Sequence, residues 1–159
     1  MAQVYAEQEH TVPTWVPWAR VLLIGAGLGL VFWLLTLLLN RYVIEPLVCR
    51  DVTQAALCVN SASISGNIAT IFTALVGVFV LLRVGIPRPI IIGVASGALL
   101  WSLAGLSLGL FWVESLVWSI VLYAATYLLF TWIARYTNLW VVITISVLII
   151  LIIRIALIL

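Results

Sequence analysis

The chain has 159 residues, of which 66% are hydrophobic and only 8% charged, against about 45–50% and 25% in ordinary soluble domains. Its seven basic residues, all arginine, oppose five acids for a formal charge of +2. This composition excludes a water-exposed globule, a disordered tail, a coiled coil and a nucleic-acid binder, which needs a cationic stripe to neutralise phosphates.

Residues 1–17 read as a polar N-terminal tail that holds the sole histidine, His10. No cleavable signal is expected, because Met1 to His10 lack a basic region and the apolar run that follows exceeds a signal core. A first transmembrane span is expected over 18–40, near the ~20 apolar residues that a bilayer core demands. Thr14 and Pro17 suit a helix start. Trp15 and Trp18 suit the headgroup level, as do Tyr42, Trp112, Tyr136 and Trp140 at other span ends.

Residues 41–63 form the one connection long enough to hold structure of its own, and it contains both cysteines, Cys49 and Cys58. The expected arrangement is a disulfide stapling an outer loop, across a short helix starting near Asp51. Two free interfacial thiols or a redox pair are the alternatives. The redox reading is the weakest, because thiol oxidoreductases usually depend on a closely spaced CxxC.

Four more spans are expected over 64–82, 89–110, 115–134 and 139–159. Arg83-Val84-Gly85-Ile86-Pro87-Arg88-Pro89 separates the second from the third with charge, glycine and two prolines. Arg135-Tyr136-Thr137-Asn138 separates the fourth from the fifth. Only Phe111 to Glu114 divides the third from the fourth, and a carboxylate at mid-bilayer costs roughly 2.5–3.5 kcal/mol, so Glu114 is expected at an interface. There it also complements the dipole of the fourth helix. Arg154 lies within the fifth span, where the surrounding Leu, Ile and Val outweigh it and its long side chain can snorkel outward. Pairing with Glu114 or Glu45 is the alternative.

The fold class is therefore all-α: a polytopic integral membrane protein, a single transmembrane domain of about five helices with short hairpin connections and one longer outer loop. With the N-terminus cytoplasmic, Arg20, Arg83, Arg88 and Arg135 fall inside, while Arg41, Arg50 and Arg154 fall outside. The cysteine pair, a disulfide candidate, also favours the outer side for its loop. An inner-membrane location with N inside and C outside is expected.

Small residues recur at helical spacing. Gly93, Gly97, Gly105 and Gly109 form a stripe on the third span with Trp101 in its middle, and Gly25 and Gly29 form a pair on the first. Such spacing lets backbones approach closely where lipid gives little hydrophobic drive. Internal packing is the plain reading; an oligomer interface or a cavity floor is the sharper one. Ser63, Gly66, Thr70, Thr73 and Gly77 share a face of the second span, as glue between helices or as the wall of a polar path. Ser115, Ser119, Tyr123 and Thr126 repeat the theme on the fourth. Arg83 and Arg88 flank a rigid turn and set topology, or contact anionic lipid headgroups.

No acid, lysine or histidine is expected near the midplane, where proton relays place one. No clustered metal ligands, hydrolase base or phosphate-binding lysine can be read from the chain, and no cofactor is implied. The leading expectation is a non-catalytic accessory or structural membrane subunit that packs with itself or a larger complex. The alternatives are a channel or facilitator lined by the Ser/Thr stripe and, behind it, a thiol oxidoreductase.

Overall fold

The computed structural model describes residues 16–49, 58, 60–86, 88–101, 103–106, 110–135 and 138–158. The expectations for Thr14, Trp15, Arg50, Asp51, Gly109 and Tyr136 lie outside them. Every regular element among the described residues is helical: α1 (Val16–Leu39), a π-helical turn (Asn40–Ile44), α2 (Glu45–Val48), α3 (Ser61–Val84), α4 (Pro89–Leu100), α5 (Leu103–Leu106), α6 (Trp112–Ile133) and α7 (Leu139–Ile158). Four helices are long and apolar enough to cross a membrane, and they point to a membrane protein. The outer faces agree: Leu23, Phe79 and Trp140 are each about 70% exposed, which a body in water avoids over large contiguous patches.

Two boundaries differ from the sequence expectation. The first helix does not stop at residue 40; it continues through the π turn and α2 to Val48. Pro46 lies in the first turn of α2, and a proline ring clashes with the carbonyl four residues back. Widening the backbone into a π turn just before it lets the helix continue, and Arg41 pairs with Glu45 at 3.7 Å across it. The region 41–63 is thus helical at both ends, and its cysteines are joined: Cys49 and Cys58 form a disulfide with Cα atoms 5.0 Å apart.

The second difference is larger. The expected third span over 89–110 is not one helix: α4 ends at Leu100, Trp101 takes an extended conformation (φ −56°, ψ 131°), and α5 follows as a separate piece. The glycine stripe is therefore divided, with Gly93 and Gly97 on α4 and Gly105 on α5.

The turn between α3 and α4 is built by its sequence. Gly85 adopts φ 74°, a left-handed position that glycine occupies without penalty. Its N–H donates to Leu82 and the Ile86 N–H to Leu81, the paired bonds of a Schellman ending. Arg88 then takes φ 56°, a left-handed position uncommon for a residue with a side chain, immediately before Pro89, the first residue of α4.

Helix α1 packs most extensively on α6 and next on α3. The α1–α6 pair is antiparallel: the Arg135 guanidinium lies 4.2 Å from the Trp18 ring at one end, and the Trp33 and Trp112 rings are 6.5 Å apart near the other. Glycine permits this approach. A Cβ at Gly25 would lie 2.7 Å from the Ala124 Cα, and one at Gly29 would lie 2.6 Å from the Ser119 carbonyl oxygen. Both neighbours are backbone and cannot swing away. Gly27, on the opposite face, has nothing within 4 Å.

That contrast is testable. Gly25→Ala and Gly29→Ala are each expected to destabilise the bundle by about 1–3 kcal/mol through overpacking, whereas Gly27→Ala is neutral or stabilising by about 0.5–1 kcal/mol. Thermal unfolding in detergent, followed by circular dichroism, reads the difference; equal effects at all three positions would refute the packing.

Candidate functional site

The centre of the bundle is polar: the hydroxyls of Ser65, Thr70, Thr73 and Ser119 bond within it, while that of Tyr127 is buried without a hydrogen-bond partner. The Thr70 hydroxyl donates to the Gly66 carbonyl at 2.9 Å, and the Thr73 hydroxyl lies 2.9 Å from the Ala69 carbonyl and 2.9 Å from the Tyr123 hydroxyl. Ser65 and Ser119 donate to carbonyls of their own helices, Ala62 and Ser115. A hydroxyl that back-bonds within its helix satisfies its own proton where water is absent. Beneath the Thr73–Tyr123 bond, the Tyr127 ring stacks at 6.4 Å on that of Tyr123, and its hydroxyl sits where a side chain at Gly77 would have to go. Thr70, Thr73, Tyr123 and Tyr127 are all buried. Ser63 lies nearer the helix end, partly buried and facing Gly105.

The two pieces of the broken segment run in order along α3. Gly93 lies against Val78, Gly97 against Ala74, Ala104 against Gly66 and Gly105 against Ser63. The glycines on these two pieces serve contacts between neighbouring segments of the same chain. Gly25 and Gly29 do the same for α1 and α6.

At the break sits the feature that sequence reasoning missed. Arg154 neither reaches Glu114 nor Glu45; one guanidinium nitrogen donates to the carbonyls of Ala98, at 3.0 Å, and Trp101, at 2.7 Å. The last carbonyls of a helix have no partner within it, and a cation there also meets the negative end of the helix dipole. The twelve residues of α4 span about 18 Å, short of the ~30 Å hydrocarbon thickness. The one charge in the α7 run is thus placed on the one helix end that needs it. Its isolation in an apolar run was the only available signal; which partner it meets depends on the break, which no local motif announces.

Trp101 also lines two apolar concavities, one on each side of the break. One, of about 360 Å³, lies between α3 and α4, bordered by Ile71, Leu75, Val94 and Gly97. The other, of about 330 Å³, lies between α4, α6 and α7, bordered by Leu122, Leu129 and Ile153. Arg83 occupies the last turn of α3 and Arg88 the residue before α4, so both belong to the turn at the end of the bundle away from the disulfide. Among the described residues, no three His, Cys, Asp or Glu side chains gather as metal ligands.

No family model, no curated protein and no solved structure matches this chain.

Replacing Arg154 tests the cap. Arg154→Leu is expected to lose about 1.5–3 kcal/mol, the scale of hydrogen bonds to a charged group, and Arg154→Lys to recover part of it through its three donors. Unfolding by a denaturing detergent measures both; equal stability of the Leu variant and the unaltered chain would remove the cap from the account.

Proposed function

We propose that this chain is a small, non-catalytic integral membrane protein that works by packing with itself or with a larger membrane complex. In this reading five segments are embedded in the bilayer: α1, α3, α6 and α7 cross it, and α4 with α5 forms a broken fifth. The observation that carries the reading is the position of the unfilled concavity between α3 and α4, which opens on the outside of the bundle. Its lining residues Leu75 and Val94 are each more than half exposed. Bare backbone beside large apolar side chains is what a neighbouring transmembrane helix packs against. The peripheral α7, whose spanning window is only 11% buried, offers a second such surface.

A conducting path along Ser63, Thr70 and Thr73 has less support, because those threonine hydroxyls are committed to Gly66, Ala69 and Tyr123. A thiol oxidoreductase has less still: its disulfide sits at the bundle end beyond α2, with no second pair to pass electrons onward. The arrangement of arginines supports an N-inside, C-outside orientation in the cytoplasmic membrane. The antiparallel packing gathers Arg20, Arg83, Arg88 and Arg135 at one end, opposite the disulfide, and cytoplasmic loops carry the excess of basic residues. Arg83 and Arg88 then lie at the headgroup level, where anionic lipid is their expected contact.

Native mass spectrometry of gently extracted protein tests the assembly. A self-associated or foreign-subunit complex is expected, and Val94→Trp, which fills the concavity, is expected to dissociate it while helicity and melting temperature hold. A lone monomer, or a complex indifferent to that substitution, would overturn the reading. Liposome flux that disappears in Thr70→Val/Thr73→Val would favour the path instead.

A further inference from the structure

A continuous apolar groove follows α6 from mid-bundle to the end that carries the arginines. The concavity of about 330 Å³ between α4, α6 and α7 shares Ala125 and Leu129 with an open one of about 530 Å³ that Trp18, Leu128 and Trp132 complete. Leu122, Ala125, Leu129 and Trp132 stand three or four residues apart and so share one helix face. Ala125 is exposed, and its small side chain leaves the floor open between the larger residues on either side. From Leu122 to Trp132 the helix rises about 15 Å, one leaflet's share of a ~30 Å hydrocarbon core. The groove thus runs from the level of Trp101 to the two indoles at the bundle end, Trp18 and Trp132, where such rings sit among headgroups.

The mouth of the groove is cationic. The exposed Arg135 places its guanidinium 4.2 Å from the centre of the Trp18 ring, and among the described residues it meets no carboxylate. Glu45 and Glu114, the acids of the described residues, both stand at the opposite end, in α2 and in the first turn of α6. A guanidinium carries five N–H donors in a planar fork that matches a phosphate bidentately. The amino end of α1 at the same mouth favours an anion as well; the carboxyl end of α6 opposes one and is itself offset by Arg135. We infer that this groove holds one anionic phospholipid, with its phosphate on Arg135 and an acyl chain laid along α6 between Trp132 and Trp101. A zwitterionic lipid brings a cation of its own to that mouth, so the anionic class is preferred. The inference requires the chain to lie in a bilayer, and does not depend on whether it assembles with others.

Native mass spectrometry of the full chain tests this, after extraction from bilayers of equal parts phosphatidylglycerol and phosphatidylcholine with matched acyl chains. One retained phosphatidylglycerol per chain is expected, read as a mass shift separate from any change in subunit number. Arg135→Gln is expected to weaken its retention about fivefold, the weight of one basic residue near an anionic surface, while Arg135→Lys keeps most of it. Ala125→Trp leaves every charge in place but fills the floor, and is expected to expel the lipid while helicity and melting temperature hold. Dihexanoyl phosphatidylglycerol, too short to reach Trp101, is expected not to compete. No retained lipid, equal retention of phosphatidylcholine, competition by the dihexanoyl form, or indifference to Arg135→Gln or to a folded Ala125→Trp would each overturn the assignment. Should Ala125→Trp fail to fold, the contrast of Arg135→Gln with Arg135→Lys decides alone.

Discussion

A backbone that leaves its helix inside an apolar layer strands carbonyls that water cannot reach, and each must find a partner within the protein. The break at Trp101 creates that problem, and Arg154 answers it by donating to Ala98 and Trp101 from a different helix. These two bonds add to the packing of Val142, Ile145 and Ile149 in tying α7 to the rest of the bundle. They also change the sense of the charge: an arginine that looks like a tolerated burden in an apolar run is the means by which a short helix can end there.

Elsewhere the bundle relies on removing atoms rather than adding attraction. Lipid tails are as apolar as leucine, so burying leucine between helices gains little over leaving it in lipid. Close approach is the remaining source of stability. Gly25 and Gly29 let α1 reach the α6 backbone, Gly77 makes room for the Tyr127 hydroxyl, and Gly66 for Ala104. Between these contacts the hydroxyls of Ser65, Thr70, Thr73 and Ser119 turn back onto their own helices, and the Thr73–Tyr123 bond joins α3 to α6. The middle of the bundle is consequently closed, while its concave surfaces lie toward the outside and toward the disulfide-bearing end.

That distribution is why the functional reading rests on surfaces rather than on an interior reaction centre. The lower part of the bundle is filled by Tyr127, Phe130 and Ile133. A cavity beside Asn40 brings several polar atoms together. The two apolar concavities flanking Trp101 have the complementary character, shaped for hydrocarbon or another helix.

The amino-acid sequence by itself determined the helical class, the segments beginning near residues 18, 64, 115 and 139, and the turn at Gly85, because apolar length and local backbone chemistry are properties of neighbouring residues. It also placed the two cysteines in the one long connection. Only the tertiary structure decided that the third segment is broken, that the first helix runs on to Val48, and that Arg154 meets carbonyls rather than carboxylates. It likewise decided that Tyr127, absent from the polar stripe read on α6, shares the centre with Thr73 and Tyr123. Composition reports whether a stretch can dissolve in lipid; where its backbone stops being helical depends on which distant side chain is in place to donate to its loose carbonyls.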